Sequence, residues 1–374
     1  MKHSTERILT THPGSLPRPD DLKQALFDRE AGQPIDPVAL AARVRGAVAD
    51  VVRQQVEAGV DVISDGEMSK IGFANYVKDR LSGLDGETPR LVPRDMQEYP
   101  EAQSRPARMP MPACVGPIAY RDHAALRADL ANLQASLAGV RPVDAFICAA
   151  SPGCLARFMA NHYYPDYDAY LGALAEALRA EYRAIIEAGF MLQVDCPDLA
   201  ILRHTQYADA TVAETRERIW LHLEVLNHAL RGIPPEQVRV HICWGNYPGP
   251  HHRDVPLRDI LDLLLAAHAD GLSVEAANPR HGHEWQVFEE VRLPEGKVLI
   301  PGVIDNNSPY IEHPELVAQR IVQYARLVGR ENLIAGTDCG FSTSLGTPSV
   351  VPRVAYAKLA TLAEGARLAS AQLW

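Results

Sequence analysis

The feature that most constrains this chain is a beat repeated eight times along its 374 residues: a short β-rich run, a polar loop, then an amphipathic helix. The runs lie at 7–11 (RILTT), 60–64 (VDVIS), 145–149 (AFICA), 191–195 (MLQVD), 238–243 (VRVHIC), 272–276 (LSVEA), 298–304 (VLIPGVI) and 332–336 (NLIAG). Between them, apolar residues recur at helical spacing. Leu171, Leu174, Leu178, Tyr182 and Ile185 form one stripe that Gly189 stops, and Val317, Ile321, Tyr324 and Leu327 form another with Pro314 in its first turn. Strands separated by helices imply parallel pairing through right-handed crossovers. Eight such units close a (β/α)8 TIM barrel. An open doubly wound sheet is the alternative, but the phosphate-cradling G-x-G-x-x-G after an early strand is missing. The expected fold is therefore α/β, a single barrel domain over residues 1–374. Residues 83–119, rich in proline and running into MPMPACVGPIAY (109–120), break the rhythm. They are expected to form a β-hairpin insertion after the second βα unit, laid over one rim.

Charge and composition narrow the function. With 37 basic and 47 acidic residues, the net charge of −10 argues against a nucleic-acid partner, whose phosphates need a basic face. No apolar run approaches the ~20 residues of a membrane span, and the N-terminus lacks the apolar core of a secretory signal. A cytoplasmic protein acting on small molecules is expected. Six irregularly spaced cysteines make no disulfide framework. Four of them (Cys114, Cys148, Cys154, Cys196) read as small buried apolar residues.

In a barrel, reactive side chains sit where strands end and the following loops begin. Those ends carry His12, Gly14 and Ser15; Asp65 and Glu67; Asp195; His241 and Cys243; Glu275; Asp305 and Asn307; Asp338 and Cys339. His241 and Cys243 are the sharpest pair, because residues i and i+2 of a strand face the same side. An isolated H-x-C is more often core packing. With Glu275 closing the next strand and Cys339 following the eighth, two thiolates, an imidazole and a carboxylate suit tetrahedral Zn2+ at roughly 2.0–2.3 Å.

The chain resembles the cobalamin-independent methionine synthases, in particular their C-terminal catalytic barrel. The resemblance is carried by ordered motifs: TTHPGSLPR (10–18), SDGEMSKIGFANYV (64–77), QVDCPDL (193–199), HICW (241–244), SVEAANPR (273–280), GVIDNNSP (302–309) and GTDCGFST (336–343). It implies that His241, Cys243, Glu275 and Cys339 hold zinc. It also implies that Gly14 and Ser15 receive the carboxylate of an amino acid thiol while Glu67 and Asp195 receive its ammonium. Backbone N–H groups suit an anion and paired carboxylates suit a cation; the bland reading of both acids is loop stabilisation. The implied activity is that of a zinc-dependent methyltransferase resembling 5-methyltetrahydropteroyltriglutamate–homocysteine methyltransferase. Zinc lowers the pKa of a bound thiol, whose thiolate then attacks an alkyl carbon. Two thiolates and a carboxylate around Zn2+ leave a formal charge of about −1 with His neutral, which favours alkylation over hydrolysis.

Two departures touch the alkyl-donor half. The family's acidic histidine, two residues past the aspartate of GVIDNNSP, is Asn307 here, and asparagine delivers no proton at neutral pH. SPGCLARF (151–158) lacks the tryptophan that the family stacks on its pterin. His281 and His283, or His251 and His252, are the replacement acids to examine, although loop histidines are usually plain surface residues. The alternatives are an epoxyalkane:coenzyme M transferase-type epoxide opening, and a metal-free decarboxylase-like or ligand-binding barrel. A small-molecule thiol and alkyl donor are the expected partners, and a protein carrying the methyl donor is compatible with the pattern.

Overall fold

In the computed structural model, which describes residues 1–89, 91–102, 110–345 and 350–374, eight parallel strands form a nearly closed (β/α)8 barrel. They are β1 (Leu9–Thr10), β2 (Val62–Ser64), β3 (Asp144–Ala150), β4 (Met191–Asp195), β5 (Val238–Ile242), β6 (Gly271–Glu275), β7 (Val298–Ile304) and β8 (Ile334–Thr337). Each lies on one of the eight expected runs. Their order in the sheet is β1-β8-β7-β6-β5-β4-β3-β2. The helical stripes also fall in place. Leu171, Leu174, Leu178, Tyr182 and Ile185 are all buried in the helix Tyr167–Glu187, and Val317, Ile321 and Tyr324 in Pro314–Val328, where Pro314 follows the His313 cap.

The seam between β1 and β2 closes through one backbone bond and several side-chain bonds. The Asp61 N–H donates to the Thr10 carbonyl at 3.2 Å, the Thr10 N–H returns to Asp61 Oδ2 at 2.9 Å, and Thr11 Oγ1 donates to the Val62 carbonyl at 2.9 Å. Arg7 grips the same Asp61 carboxylate with two donors at 2.6 and 2.7 Å. Asp61→Ala orphans the buried Thr10 N–H and frees the half-exposed Arg7, both on the β1 side of the seam, so we expect a loss of about 2 kcal/mol, measured by denaturant unfolding.

Inside the barrel, the ends away from the site are packed solid. Val62, Phe146 and Met191 fill one side, with Cys148 bordering the site above them, and Leu9, Val298, Ile300 and Ile334 fill the other. Above them lies Arg239, its guanidinium 3.5 Å over the Phe146 ring. It donates to Gln193 Oε1, Thr11 Oγ1 and the His12 carbonyl. Open space lies at the C-terminal ends of the strands.

The insertion includes an antiparallel pair, Leu84–Asp85 with Ala113–Cys114, and a short helix Arg94–Glu98. Part of the expected hairpin, residues 90 and 103–109, lies outside the described residues. Asp95 of the short helix latches it to the barrel by accepting from the Tyr247 hydroxyl and the His251 N–H, both at 2.8 Å. Among the described residues, no helix is long and apolar enough to cross a membrane.

Candidate active site

β5 delivers His241 and, just past its end, Cys243; the loop after β8 delivers Cys339. Their ligand atoms all lie within 4.8 Å of one another. Cys243 Sγ is 3.5 Å from Cys339 Sγ, which is in turn 3.5 Å from His241 Nε2. All three side chains are buried and both cysteines are free thiols. Burial, with some repulsion from Arg239, pulls the His241 pKa down to about 3, so its ring is neutral with a lone pair available. Nδ1 meets Ser273 Oγ at 3.3 Å, which leaves Nε2 to face the thiols. The Cys339 hydrogen bond and burial push the Cys243 thiol well up. For Cys339 the bond to Cys243 acts downward, but burial and the Glu275 charge outweigh it. A buried set of soft donors that repel one another when ionised is one that a divalent cation stabilises.

Glu275 stands beside this trio. One oxygen accepts the Trp244 N–H at 3.1 Å and the other the Asn278 side-chain amide at 2.8 Å. Burial and the nearby Cys243 raise its pKa well above the carboxylate range. Asp338 organises the approach. Its carboxylate accepts the backbone N–H groups of Ala276, Ala277 and Asn278, all at 2.8 Å, tying the loop after β6 to the residue that precedes Cys339.

A second cluster gathers Glu67, Asp195 and Cys148, again within 4.8 Å. The SDGE turn explains how Glu67 arrives there. Gly66 and Glu67 take left-handed backbone angles, φ 65° and 58°, a conformation that costs a side-chain-bearing residue ~1–2 kcal/mol. Ser64 Oγ accepts the Gly66 N–H, Asp65 Oδ1 the Glu67 N–H, and buried Arg18 donates twice to the Glu67 carbonyl. Burial and the Glu67 charge raise the Asp195 carboxyl to about 8. Glu67 Oε2 and Ser15 Oγ are buried without a hydrogen-bond partner. Gly14 behaves differently from its neighbour: its N–H donates to His12 Nδ1 at 3.0 Å. A β-carbon there, at φ 116°, would lie 2.2 Å from Cys148 Sγ, so Gly14 allows the close approach of β1 and β3. Cys148 is buried as expected, but its thiol shares the space of the two acids and receives the Gln193 amide at 3.3 Å.

Ser15, Glu67, Asp195, His241, Cys243 and Cys339 line one cavity of about 630 Å³. The insertion supplies part of its wall through Thr88, Leu91 and Met111, and the short helix Pro152–Phe158 after β3 another part through Arg157 and Phe158. Tyr167 also faces the cavity. Behind it runs a buried chain that sequence reasoning missed: Tyr167 hydroxyl to His222 Nε2 at 3.0 Å, His222 Nδ1 to Asp198 Oδ2 at 3.0 Å, and Ser151 Oγ donating to Asp198 Oδ1 at 2.6 Å. Gly153 leaves room for it, since a β-carbon would sit 2.1 Å from Asp198 Oδ2.

Asn307 and the four histidines considered as replacement acids lie outside this lining. His281 is buried with Nδ1 on Glu284 and Nε2 on Asp254, at 2.8 and 3.1 Å, and its ring against Trp244. Burial lowers its pKa, but those two carboxylates together raise it to about 10, holding a structural imidazolium. His283 is exposed. Asn307 turns away because its N–H closes a turn on Asp305 Oδ1 at 2.8 Å; its neighbour Asn306 is the buried one, bonded to the cavity residue Asn246. Of the other histidines, His251 pairs with Asp254 and His252 with Glu98.

Comparison with known proteins shows the family and the fold. The family model described as "Cobalamin-independent synthase, Catalytic domain" matches residues 8–361. The methionine synthase of Saccharolobus solfataricus is 25% identical over 367 residues, covering 97% of this chain and 95% of that one. That of Pyrococcus abyssi is 25% identical over 362 residues, covering 96% and 92%. Among solved structures, a B12-independent methionine synthase from Shewanella sp. W3-18-1 in complex with selenomethionine superposes with a TM-score of 0.76 at 21% identity, covering 98% of this chain and 99% of that one. A putative vitamin-B12 independent methionine synthase from Listeria monocytogenes gives 0.67 at 19%, with the same coverage. From residue 8 to residue 361, then, this chain belongs to the cobalamin-independent synthase family through its catalytic domain.

Proposed function

We propose that the chain methylates homocysteine or a closely similar thiol, with zinc held by His241, Cys243, Cys339 and Glu275. The observation that carries this reading is the meeting of two buried clusters on one cavity: a thiol–imidazole trio for a soft ion, and a pair of acids, one oxygen of which has no partner, for a cation. Zinc, when bound, supplies a low-pKa, electron-rich site for the substrate sulfur. Glu275 joins the ligand set by releasing the Trp244 N–H or the Asn278 amide. Glu67 and Asp195 accept the ammonium donors, with the buried Lys70 amine acting electrostatically on Glu67 from behind. With the Gly14 N–H engaged by His12, the Ser15 hydroxyl is the group available to the substrate carboxylate.

Metal analysis of the purified protein, followed by calorimetric titration with homocysteine and with coenzyme M, tests the reading. We expect one zinc per chain and homocysteine as the preferred ligand, because coenzyme M has no ammonium for Glu67 and Asp195. Metal-free protein with full activity, or preference for coenzyme M, would overturn it.

Transfer makes the sulfur–carbon bond, breaks the bond from that carbon to the donor, and leaves the electron pair on the donor atom. In our reading Tyr167 gives that atom a proton, and a His222 imidazolium, held through Nδ1–H by Asp198, replaces it from Nε2–H and is reprotonated from solvent after product leaves. Tyr167→Phe should lower kcat about 100-fold with an N-methyl amine donor. It should have little effect with a methylsulfonium, which departs neutral. Equal loss with both donors in steady-state assays would exclude Tyr167 as the acid.

A further inference from the structure

Four arginines are buried among the described residues, and three of them have their guanidinium engaged by the protein. Arg18 donates to the carbonyls of Glu67 and Ser342. Arg80 pairs with Asp129 and Glu181. Arg239 uses Nε and both Nη groups inside the barrel. Arg157 is the exception. It is 6% exposed, yet its one hydrogen bond among the described residues runs from Nε to Thr205 Oγ1 at 3.1 Å. Among the described residues no carboxylate pairs with it, and the residue lines the cavity. Burial lowers its pKa to about 10, which leaves it charged at neutral pH.

A buried charge without a counter-ion is costly unless something else supplies the partner. The planar guanidinium with two open Nη groups matches a carboxylate held by two parallel bonds. The surroundings describe the rest of such a ligand. The guanidinium lies 5.0 Å from the centre of the Phe158 ring, which packs nearly perpendicular to Phe73, an apolar wall for a flat body. Gln206, another cavity residue, holds a buried Oε1 with no partner, an acceptor waiting for a donor. One cation and one vacant acceptor suit a monoanion with an N–H or O–H, rather than a phosphate.

We propose that Arg157 is the anion-binding residue of the second-substrate subsite, and that the alkyl donor is an organic carboxylate with an apolar body. This deepens the thiol reading and rests on it only in calling that ligand the alkyl donor.

The test is calorimetric titration of the full-length protein with benzoate and with benzamide, which share a shape and differ in charge. Wild type should bind benzoate at least tenfold more tightly than benzamide. Arg157→Gln should erase that preference, and Arg157→Lys, which keeps the charge but loses the fork, should retain part of it. Circular dichroism and zinc content, read on the same samples, should be unchanged in both variants. Equal affinities in wild type, no saturable benzoate binding, or an undiminished preference in Arg157→Gln would overturn the proposal. If Arg157→Gln fails to fold, Arg157→Lys decides, an unreduced benzoate preference counting against the fork. Benzoate binding without homocysteine binding would support the anion site and overturn the thiol reading alone.

Discussion

Serine in place of Cys243 or Cys339 is expected to strip the protein of its metal and to stop thiol alkylation while leaving the barrel folded. The side-chain change is one atom, but a serine hydroxyl stays protonated where a thiol ionises, and it is hard where the ion prefers soft donors. Losing a direct ligand should cost more than the ~10–100-fold in metal affinity typical of outer partners. The fold should survive because both cysteines line the cavity, outside the packed clusters of Phe146, Met191, Val298 and Ile300. Elemental analysis beside circular dichroism is the measurement. Cys114→Ser, far from the trio, serves as the control that keeps its metal. Full metal retention by both site variants would show that the thiols merely pack against each other.

The second large effect concerns Asp195 and Glu67. We expect Glu67→Gln or Asp195→Asn to weaken binding of the amino acid by about 30-fold or more, the loss of a charge-assisted contact in a buried site. Methionine titrated into metal-free protein isolates this from thiol ionisation. A pH dependence follows with a definite sign. Burial and the Glu67 charge hold the Asp195 carboxyl neutral up to about pH 8 in the empty protein, whereas an ammonium beside it favours the carboxylate. Binding below pH 8 therefore releases a proton, and affinity should rise up to tenfold per pH unit between pH 6 and 8, then level off. The same shift acts oppositely on the empty fold. The folded pKa lies above the ordinary 3.8, so this group's contribution to stability is present below about pH 4 and lost as pH climbs toward 8. Affinity that does not vary between pH 6 and 8, or an Asn variant that binds as tightly, would remove Asp195 from the ammonium site.

How far the residues could be read in advance depended on whether a property was local. The strand period of two made His241 and Cys243 legible as a converging pair, and the helical stripe from Leu171 to Ile185 was legible for the same reason. The charge of Arg157 was equally visible, but not its lack of a partner, which depends on every other chain segment around it. His281 illustrates the opposite failure: a histidine beside a strand end looked available, but Glu284, three residues on, and Asp254, from the segment after β5, occupy both ring nitrogens. Asn307 failed by one residue, since the turn on Asp305 sends its neighbour Asn306 inward instead.

By itself the sequence determined the barrel, its strand order along the chain, and the residue types gathered at the strand ends, because periodicity and turn chemistry act over a few residues. Only the tertiary structure decided which of those ends share a cavity, that Glu275 is first claimed by the Trp244 N–H, that Gly14 serves close packing, and that Tyr167 backs onto His222 and Asp198. Those outcomes rest on distances between segments that pack together without being neighbours in the chain. In a buried site, hydrogen-bond partners and pKa values are set by such neighbours, whatever their separation in sequence.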